Sequence, residues 1–332
     1  MRLKLLTNPR TGCALLVFFW LSFGILYAQN PKPIIFDTDI GDDIDDALAL
    51  GLALQSPELD VRAVTTVADD VESRARLAWK ELGVYGRQDI PVAMGAPEPL
   101  LDPVRTGHSP QFKLLTPADP LPPAAHTRAA DLIVRTLLAS PEKITLVPVG
   151  PLTNIALALR LEPRIKDKIE RIVLMGGAYY PSRAEYNILR DRVAAEIVFR
   201  SGVPITAVGL DVTTKCKLQG DDLALLRAAT NPASRFLMQL IELWQNGHAD
   251  HYPTLHDPLA VATALQPTLI EPRLGAVEVE TANPKTYGTT RFTPAEQLKK
   301  DQPATTEVAR EVNVREFLDL FVQRLSSAPR SH

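Results

Sequence analysis

Six aspartates fall within ten residues of the stretch IIFDTDIGDDIDDALAL, which runs from Ile34 to Leu50. They are Asp37, Asp39, Asp42, Asp43, Asp45 and Asp46. Carboxylates this close raise one another's pKa values and oppose folding when all of them are ionised. A bound hard cation removes that conflict, because Ca²⁺ takes about six to eight oxygen ligands and prefers carboxylates. Alternatively, these aspartates cap a helix or are solvated in a loop, and the cluster alone leaves both interpretations open.

The chain after residue 31 alternates short apolar runs with helical stretches, as in a mainly parallel sheet that helices cover on both faces. Strands are predicted at 32–37, 61–67, 144–149, 171–177 and 204–212. Helices are predicted at 45–54, 71–86, 128–139, 151–161 and 192–200, with further helices through Asn246. No repeat or linker divides this pattern, so we predict an α/β fold with one domain over residues 31–328.

This fold places the functional site at one edge of the sheet. In open parallel sheets, ligands bind beyond the carboxyl ends of the strands. The aspartate cluster follows the first predicted strand, and other polar segments follow later strands at 65–70, 149–154, 176–187 and 211. We therefore expect the aspartates and these segments to form one site.

Several stretches in chain order resemble the inosine-uridine-preferring nucleoside hydrolase family. The segment DTDIGDDIDDALAL (37–50) is similar to the N-terminal pattern of that family, which is roughly DxDxGxDDxxA. The others are LVPVGPLTNIALALRLEPRI (146–165), IVLMGGAYY (172–180), AEYNILRDRVAAEIVF (184–199), VGLDVT (208–213) and HDPLAV (256–261). The resemblance covers roughly residues 33–265. It implies a Rossmann-like fold and calcium-dependent cleavage of the N-glycosidic bond of ribonucleosides.

The resemblance also implies a metal site. Asp39 resembles the aspartate that binds Ca²⁺ and takes a proton from the attacking water. Asp46 resembles the bidentate calcium ligand, and Asp257 matches the distal calcium aspartate. The remaining protein ligand in the family is a backbone carbonyl, which falls here at Val149. Asp45 resembles the neighbouring residue that hydrogen-bonds the ribose hydroxyls.

Four further residues complete the site that the resemblance implies. Glu185 and Asn187 match residues that bind the ribose, and Asp70 stands where many family members have a ribose-binding asparagine. His256 matches a histidine proposed as the acid for the leaving base. Cleavage of an N-glycosidic bond passes through a cation-like sugar, which anionic residues stabilise.

The fingerprint departs from the family in its length. Five residues separate Asp39 from the Asp45–Asp46 pair, where the common pattern has three. An ungapped register would put Asp43 and Ile44 at the pair instead. We favour the gapped register, because ALAL follows Asp46 as in the family and Ile44 cannot bind calcium.

Other departures concern the base. Thr214 replaces a histidine often found after GLDVT, and the segment TGHSPQF (106–112) replaces a turn of the family. His248, His251 and Tyr252 either line the leaving-group side or belong to an exposed loop. Base preference is therefore left open by the sequence.

The first thirty residues predict export. Arg2, Lys4 and Arg10 precede an uncharged run at 13–28, which predicts a secretory signal peptide over 1–28 with cleavage after Ala28. An uncleaved anchor is the alternative. Either interpretation predicts a periplasmic or secreted body, with no membrane contact once the signal is cleaved. Cys216 is then the only cysteine left in the mature chain, which excludes an intramolecular disulfide.

The expected partners are few. A net charge of −3 with no basic block excludes a nucleic-acid partner. A nucleoside substrate, Ca²⁺ and a homo-oligomer (dimer or tetramer) are expected.

Two other functions use the same residues: a non-catalytic exported nucleoside or sugar binder, and a haloacid-dehalogenase-like phosphatase. The phosphatase is disfavoured because Ile40-Gly41 follows the DxD and HDP has no role there.

Overall fold

The computed structural model describes residues 30–102 and 109–329 of the 332-residue chain. The predicted signal peptide over 1–28 and His108 lie outside these residues. From Pro31 onward, the described residues group into one compact unit. None of the helices that they form is long and apolar enough to cross a membrane.

The described residues form strands that belong almost entirely to one sheet. These strands are β1 (Lys32–Thr38), β2 (Leu59–Thr66), β3 (Val92–Met94), β4 (Ile144–Pro148), β5 (Ile169–Met175), β6 (Ala178–Tyr179), β7 (Ser182–Arg183), β8 (Ile205–Val208), β9 (Ile270–Val279), β10 (Thr290–Pro294) and β11 (Thr306–Val312). The main sheet has the order β3-β2-β1-β4-β5-β8-β11-β9-β10, and β6 pairs only with β7. From β3 to β11 in that order, each strand pairs in parallel with its neighbour. Strand β9 pairs antiparallel with both of its neighbours, β11 and β10.

Helices cover both faces of this sheet, as predicted. They are α1 (Asp45–Gln55), α2 (Val71–Val84), α3 (Ala129–Ala139), α4 (Thr153–Leu161), α5 (Tyr186–Arg190), α6 (Arg192–Phe199), α7 (Leu210–Thr213), α8 (Gly220–Ala228), α9 (Pro232–Gln245), α10 (His256–Leu265) and α11 (Val314–Ser326). One apolar core includes buried side chains of α1, α2, α9, α10 and α11, and a second includes those of α3, α4 and α6. The predicted layered α/β fold is confirmed.

The position of β1 determines where a ligand can bind. It lies between β2 and β4 and is buried along its length after Lys32, which explains its continuous apolar run. The chain continues from β1 to β2 on one side and returns to β4 on the other. The order of the strands therefore reverses between β1 and β4, and such reversals leave a crevice at the carboxyl ends of the strands.

Two parts of the fold differ from the prediction. The predicted strand at 204–212 was wrong in its second half, because β8 ends at Val208 and the next residues form the short helix α7. The backbone at Gly209 approaches the carbonyl of Gly177 so closely that a Cβ would lie 2.7 Å from it. The antiparallel edge formed by β9 and β10 was not predicted.

Candidate active site

A cavity of about 450 Å³ opens at the carboxyl ends of β1, β4 and β5. The N-terminal turns of α1 and α10 complete its walls. Its lining residues are Asp39, Asp42, Asp43, Asp45, Asp46, Val149, Met175, Glu185, Tyr186, Asn187, Leu210, His256 and Asp257. Every predicted site residue except Asp70 is in this set.

The carboxylates of Asp39, Asp46 and Asp257 come from three separate segments of the fold, which are the end of β1, α1 and α10. Asp39 follows β1, and a Cβ on Gly150 beyond β4 would lie 2.6 Å from its Oδ1, so only glycine leaves room there. Asp45 and Asp46 occupy the first turn of α1, where the positive end of the helix dipole favours them. The hydroxyl of Thr38 donates a hydrogen bond to Asp46.

Three of these carboxylates converge. Oxygen atoms of Asp45, Asp46 and Asp257 all lie within 4.8 Å of one another, and all three residues are buried. The backbone N–H of Asp257 also donates to Oδ2 of Asp45 at 3.3 Å. The predicted metal ligands Asp46 and Asp257 are therefore adjacent. Asp45, predicted as a ribose contact, lies as close to both, whereas Asp39 is not part of this group.

Burial and mutual repulsion disfavour ionisation of the whole cluster. Burial raises the pKa of Asp39 to about 7, although Arg74 opposes the shift, and Asp42 adds to it. The pKa values of Asp46 and Asp257 are raised well above the ordinary range, first by burial and then by neighbouring aspartates. Anions in this position need a compensating positive charge.

Arg74 supplies part of that charge. It is almost completely buried, and its guanidinium donates to the backbone carbonyls of Asp39 and Ile40 and to Oδ2 of Asp42 at 2.8 Å. One cation cannot balance this many carboxylates. An all-oxygen, buried and strongly anionic donor set fits a hard divalent cation.

The ribose-binding candidates Glu185 and Asn187 line the same cavity, and each has buried hydrogen-bond partners. Glu185 accepts backbone N–H groups from Gly177, Asn187 and Ile188 at 2.9–3.1 Å. The side-chain amide of Asn187 donates to the carbonyl oxygen of Val149 at 2.6 Å. The carbonyl predicted as a metal ligand thus lies at the cavity and already has one partner.

His256 stands at the start of α10, next to the carboxylate group. Its Nδ1 lies 2.7 Å from the hydroxyl of Thr213, so Nε2 is the ring nitrogen left for other contacts. Burial lowers the pKa of His256 to about 4, which keeps the imidazole neutral near pH 7. A neutral ring can present one N–H as a donor, and the bond to Thr213 fixes its orientation.

Asp70 does not lie with the other predicted residues. It is exposed and caps α2, where its side chain accepts the N–H of Ser73 at 3.0 Å. Its neighbour Asp69 points into the protein and pairs with Arg190 at 2.6 Å. Neither aspartate lines the cavity, so the structure gives no support to the predicted ribose contact of Asp70.

The loop that follows α9 is arranged around one aromatic pair. His251 stacks on Trp244 with ring centroids 3.9 Å apart and an angle of 22°. Tyr252 is exposed, as is His248, and none of these side chains lines the cavity. The first of the two interpretations, direct contact with the leaving group, has no support in this arrangement.

Some residues at the site were not found from the sequence. Thr38 and Thr213 lie within the family-like segments but no role was predicted for them, and Arg74 lies in none of those segments. Arg74 does leave a signal, because it lies on the apolar stripe of α2 with Ala75 and Ala78, where a charge needs a partner.

A second charged residue on that stripe has no partner among the residues that the structure describes. Glu81 is fully buried, and neither of its carboxyl oxygens has a hydrogen-bond partner there. The buried hydroxyl of Tyr85, one helical turn later, also lacks a hydrogen-bond partner among the described residues. Burial raises the pKa of Glu81 well above its usual range, and Asp46 adds to the shift. Ionisation of Glu81 therefore destabilises the folded state.

Replacement of Glu81 by glutamine is expected to stabilise the protein at alkaline pH. An acid whose pKa is raised by folding loses native stability as pH rises from its unfolded value toward its folded value. At pH 8 the variant should melt about 2 °C or more above the wild type. Near pH 4.5 the difference should largely vanish. Thermal unfolding at both pH values checks this, with the exposed Glu142→Gln as control. An equal shift at both pH values would contradict it.

Comparison with known proteins adds independent findings. Residues 34–319 match the family model described as inosine-uridine preferring nucleoside hydrolase. A pyrimidine-specific ribonucleoside hydrolase RihA from Citrobacter koseri is 38% identical over 89% of this chain and 98% of its own length. The RihA of an Escherichia coli strain is 39% identical over 88% of this chain and 98% of its own length.

Solved structures similar to this chain are nucleoside hydrolases as well. A plant nucleoside hydrolase, PpNRh1, superimposes with a TM-score of 0.80 at 30% identity, over 90% of this chain and 99% of its own. A purine-preferring ribonucleoside hydrolase from Gardnerella vaginalis gives a TM-score of 0.76 at 33% identity, over 89% and 98% of the two chains.

Proposed function

Because the chain belongs to the inosine-uridine preferring nucleoside hydrolase family and is therefore a hydrolase of nucleosides, we propose that it is an exported, calcium-dependent enzyme of ribonucleoside breakdown. It would release the free base and ribose outside the cytoplasm. The observation that carries the proposal is the group of buried carboxylates of Asp45, Asp46 and Asp257 at the bottom of the cavity. Export rests on the predicted signal peptide over 1–28 and on nothing else.

The donor set favours Ca²⁺ among hard cations. Asp39, Asp46, Asp257 and the Val149 carbonyl would hold it, and the proximity of Asp45 makes a fourth carboxylate available. Calcium accepts high coordination numbers and irregular geometry, which suits ligands drawn from separate helices and loops. When bound, the cation relieves the repulsion between the aspartates and makes an attacking water more acidic.

The side chains then divide the chemistry among themselves. Asp39 takes the proton of the attacking water, since it stands at the cavity floor with its backbone fixed by Arg74. Glu185, Asn187 and Asp45 hold the ribose hydroxyls. The remaining negative charge stabilises the sugar as it becomes cationic.

His256 acts on the leaving base. The bond between its Nδ1 and Thr213 orients the ring. We assign the ring proton to Nε2, which can then donate a hydrogen bond within the cavity that His256 lines. A hydrogen bond to the departing base stabilises the charge that develops there. Because the ring is neutral, it contributes through that hydrogen bond rather than as an imidazolium.

The substrates to assay first are pyrimidine ribonucleosides. The curated relatives at 38–39% identity are named pyrimidine-specific, whereas the Gardnerella vaginalis enzyme at 33% identity is named purine-preferring. Purified protein should be incubated with uridine, cytidine, inosine and adenosine, with Ca²⁺ and after exhaustive chelation, and ribose measured as reducing sugar. We expect turnover only with the metal. Binding without turnover of any nucleoside would favour the nucleoside-binding alternative.

Ribonucleosides should be hydrolysed much faster than their 2′-deoxy forms. A site built to hydrogen-bond a hydroxyl leaves buried polar groups unpaired when that hydroxyl is missing, which lowers kcat/KM by about a hundredfold or more. Parallel assays of uridine and deoxyuridine, and of inosine and deoxyinosine, check this. Comparable rates within each pair would overturn the ribose-binding roles of Asp45, Glu185 and Asn187 but not the hydrolase itself.

A homo-oligomer, either a dimer or a tetramer, remains our expectation for the assembly.

A further inference from the structure

The cavity has a buried inner half and a more open outer half. The carboxylates on its floor and Asn187 are buried, whereas Asp43 and Tyr186 are exposed and Leu210 and His256 are half-buried. Under the proposed function, the inner half holds the ribose. The base projects away from the sugar in a nucleoside, so under that function we expect it to lie among these four outer residues.

The loop that carries Asp43 is longer than the family pattern and is held in place. The backbone carbonyl of Asp43 accepts a hydrogen bond from Nε2 of Gln111 at 2.6 Å, and its Oδ1 accepts the N–H of Ile44 at 2.7 Å. Asp42, the preceding residue, is bonded by the buried Arg74 and by Ser109. Asp42 and Asp43 therefore form a fixed wall of the cavity mouth.

The aromatic pair of the α9–α10 loop influences the Asp43 carboxylate at the end of this wall. Burial raises the pKa of Asp43, and the charge of His251 and the indole of Trp244 oppose that shift. Stacking of His251 on Trp244 fixes both rings. A carboxylate offers about four acceptor positions, so these contacts leave Asp43 able to accept more hydrogen bonds.

We propose that Asp43 is a specificity-determining residue that favours nucleosides whose base presents an amino group at the cavity mouth, a proposal that rests on the nucleoside hydrolase function proposed above. A carboxylate accepts a hydrogen bond from the 4-amino group of cytosine or the 6-amino group of adenine. Facing the keto oxygen of uracil or hypoxanthine, it meets another acceptor and both groups lose water without gaining a bond. Cytidine is thereby preferred over uridine, and adenosine over inosine.

The test compares two substrate pairs that differ only in this group. In the wild type, kcat/KM should be at least about tenfold higher for cytidine than for uridine, and the adenosine-to-inosine ratio should shift in the same direction. In Asp43→Asn, both ratios should fall to within about threefold of unity, because an amide can donate to a keto oxygen as well as accept from an amino group. Asp43→Ala should lose the preference too, through removal of the acceptor.

The matched control is Asp250→Asn in the α9–α10 loop. Asp250 is exposed and does not line the cavity, so this variant removes one negative charge from the loop without altering the cavity wall. Its ratios should stay at the wild-type values. Turnover with unchanged ratios in Asp43→Asn, or a wild-type preference for the keto bases, would overturn the role of Asp43 alone. A lack of turnover of all four nucleosides would overturn the proposed function and this proposal with it.

Discussion

Replacement of Asp39 by alanine is expected to lower kcat by at least about a thousandfold while the protein stays folded. The change removes the proposed proton acceptor and a calcium ligand together, so two parts of the proposed mechanism are lost at once. The fold should survive, because Arg74 binds the backbone carbonyl of Asp39 and not its side chain. Burial holds the pKa of Asp39 at about 7, so its ionised form opposes folding and its loss relieves that strain.

Two measurements separate catalysis from folding in this experiment. Ribose release gives kcat, and thermal unfolding in calcium-free buffer should give a melting temperature equal to or above that of the wild type. Asp167→Asn, an exposed aspartate far along the chain, serves as the control for charge removal. Retention of more than a tenth of the wild-type kcat in Asp39→Ala would mean that another group activates the water.

The sequence was sufficient to predict the elements that position these aspartates. The helix predicted at 45–54 is α1, which begins at Asp45, and the strand predicted at 32–37 is β1. Both follow from local signals: a continuous apolar run for a strand buried on two faces, and acidic residues before an Ala/Leu-rich stretch for a helix start. Membership in the nucleoside hydrolase family, which cleaves N-glycosidic bonds and not phosphate esters, also excludes the phosphatase alternative.

The contacts between distant segments could not be predicted in the same way. The approach of Asp257 to Asp45 joins residues 212 positions apart in the chain. The pairing of Arg74 with the end of β1 likewise depends on how α2 packs, and no local pattern encodes it. Asp70, which was matched by its position in a motif, lies outside the cavity lining in this structure and caps α2 instead.

The last prediction concerns the register of the acidic segment. Asp46→Asn is expected to weaken Ca²⁺ binding by more than the roughly 10–100-fold typical of a residue that only supports a ligand. Asparagine keeps the shape of the side chain and can still accept the hydrogen bond from Thr38, so the loss reports on charge at the metal. Asp43→Asn should change calcium affinity by less than about threefold, because Asp43 lies at the exposed mouth, outside the group formed by Asp45, Asp46 and Asp257. Calorimetric titration of calcium-depleted protein measures both affinities, with unfolding curves to show that each variant is folded. A larger loss of affinity in Asp43→Asn than in Asp46→Asn would contradict the gapped register. It would place Asp43 at the metal, two positions before the Asp45–Asp46 pair with which α1 begins.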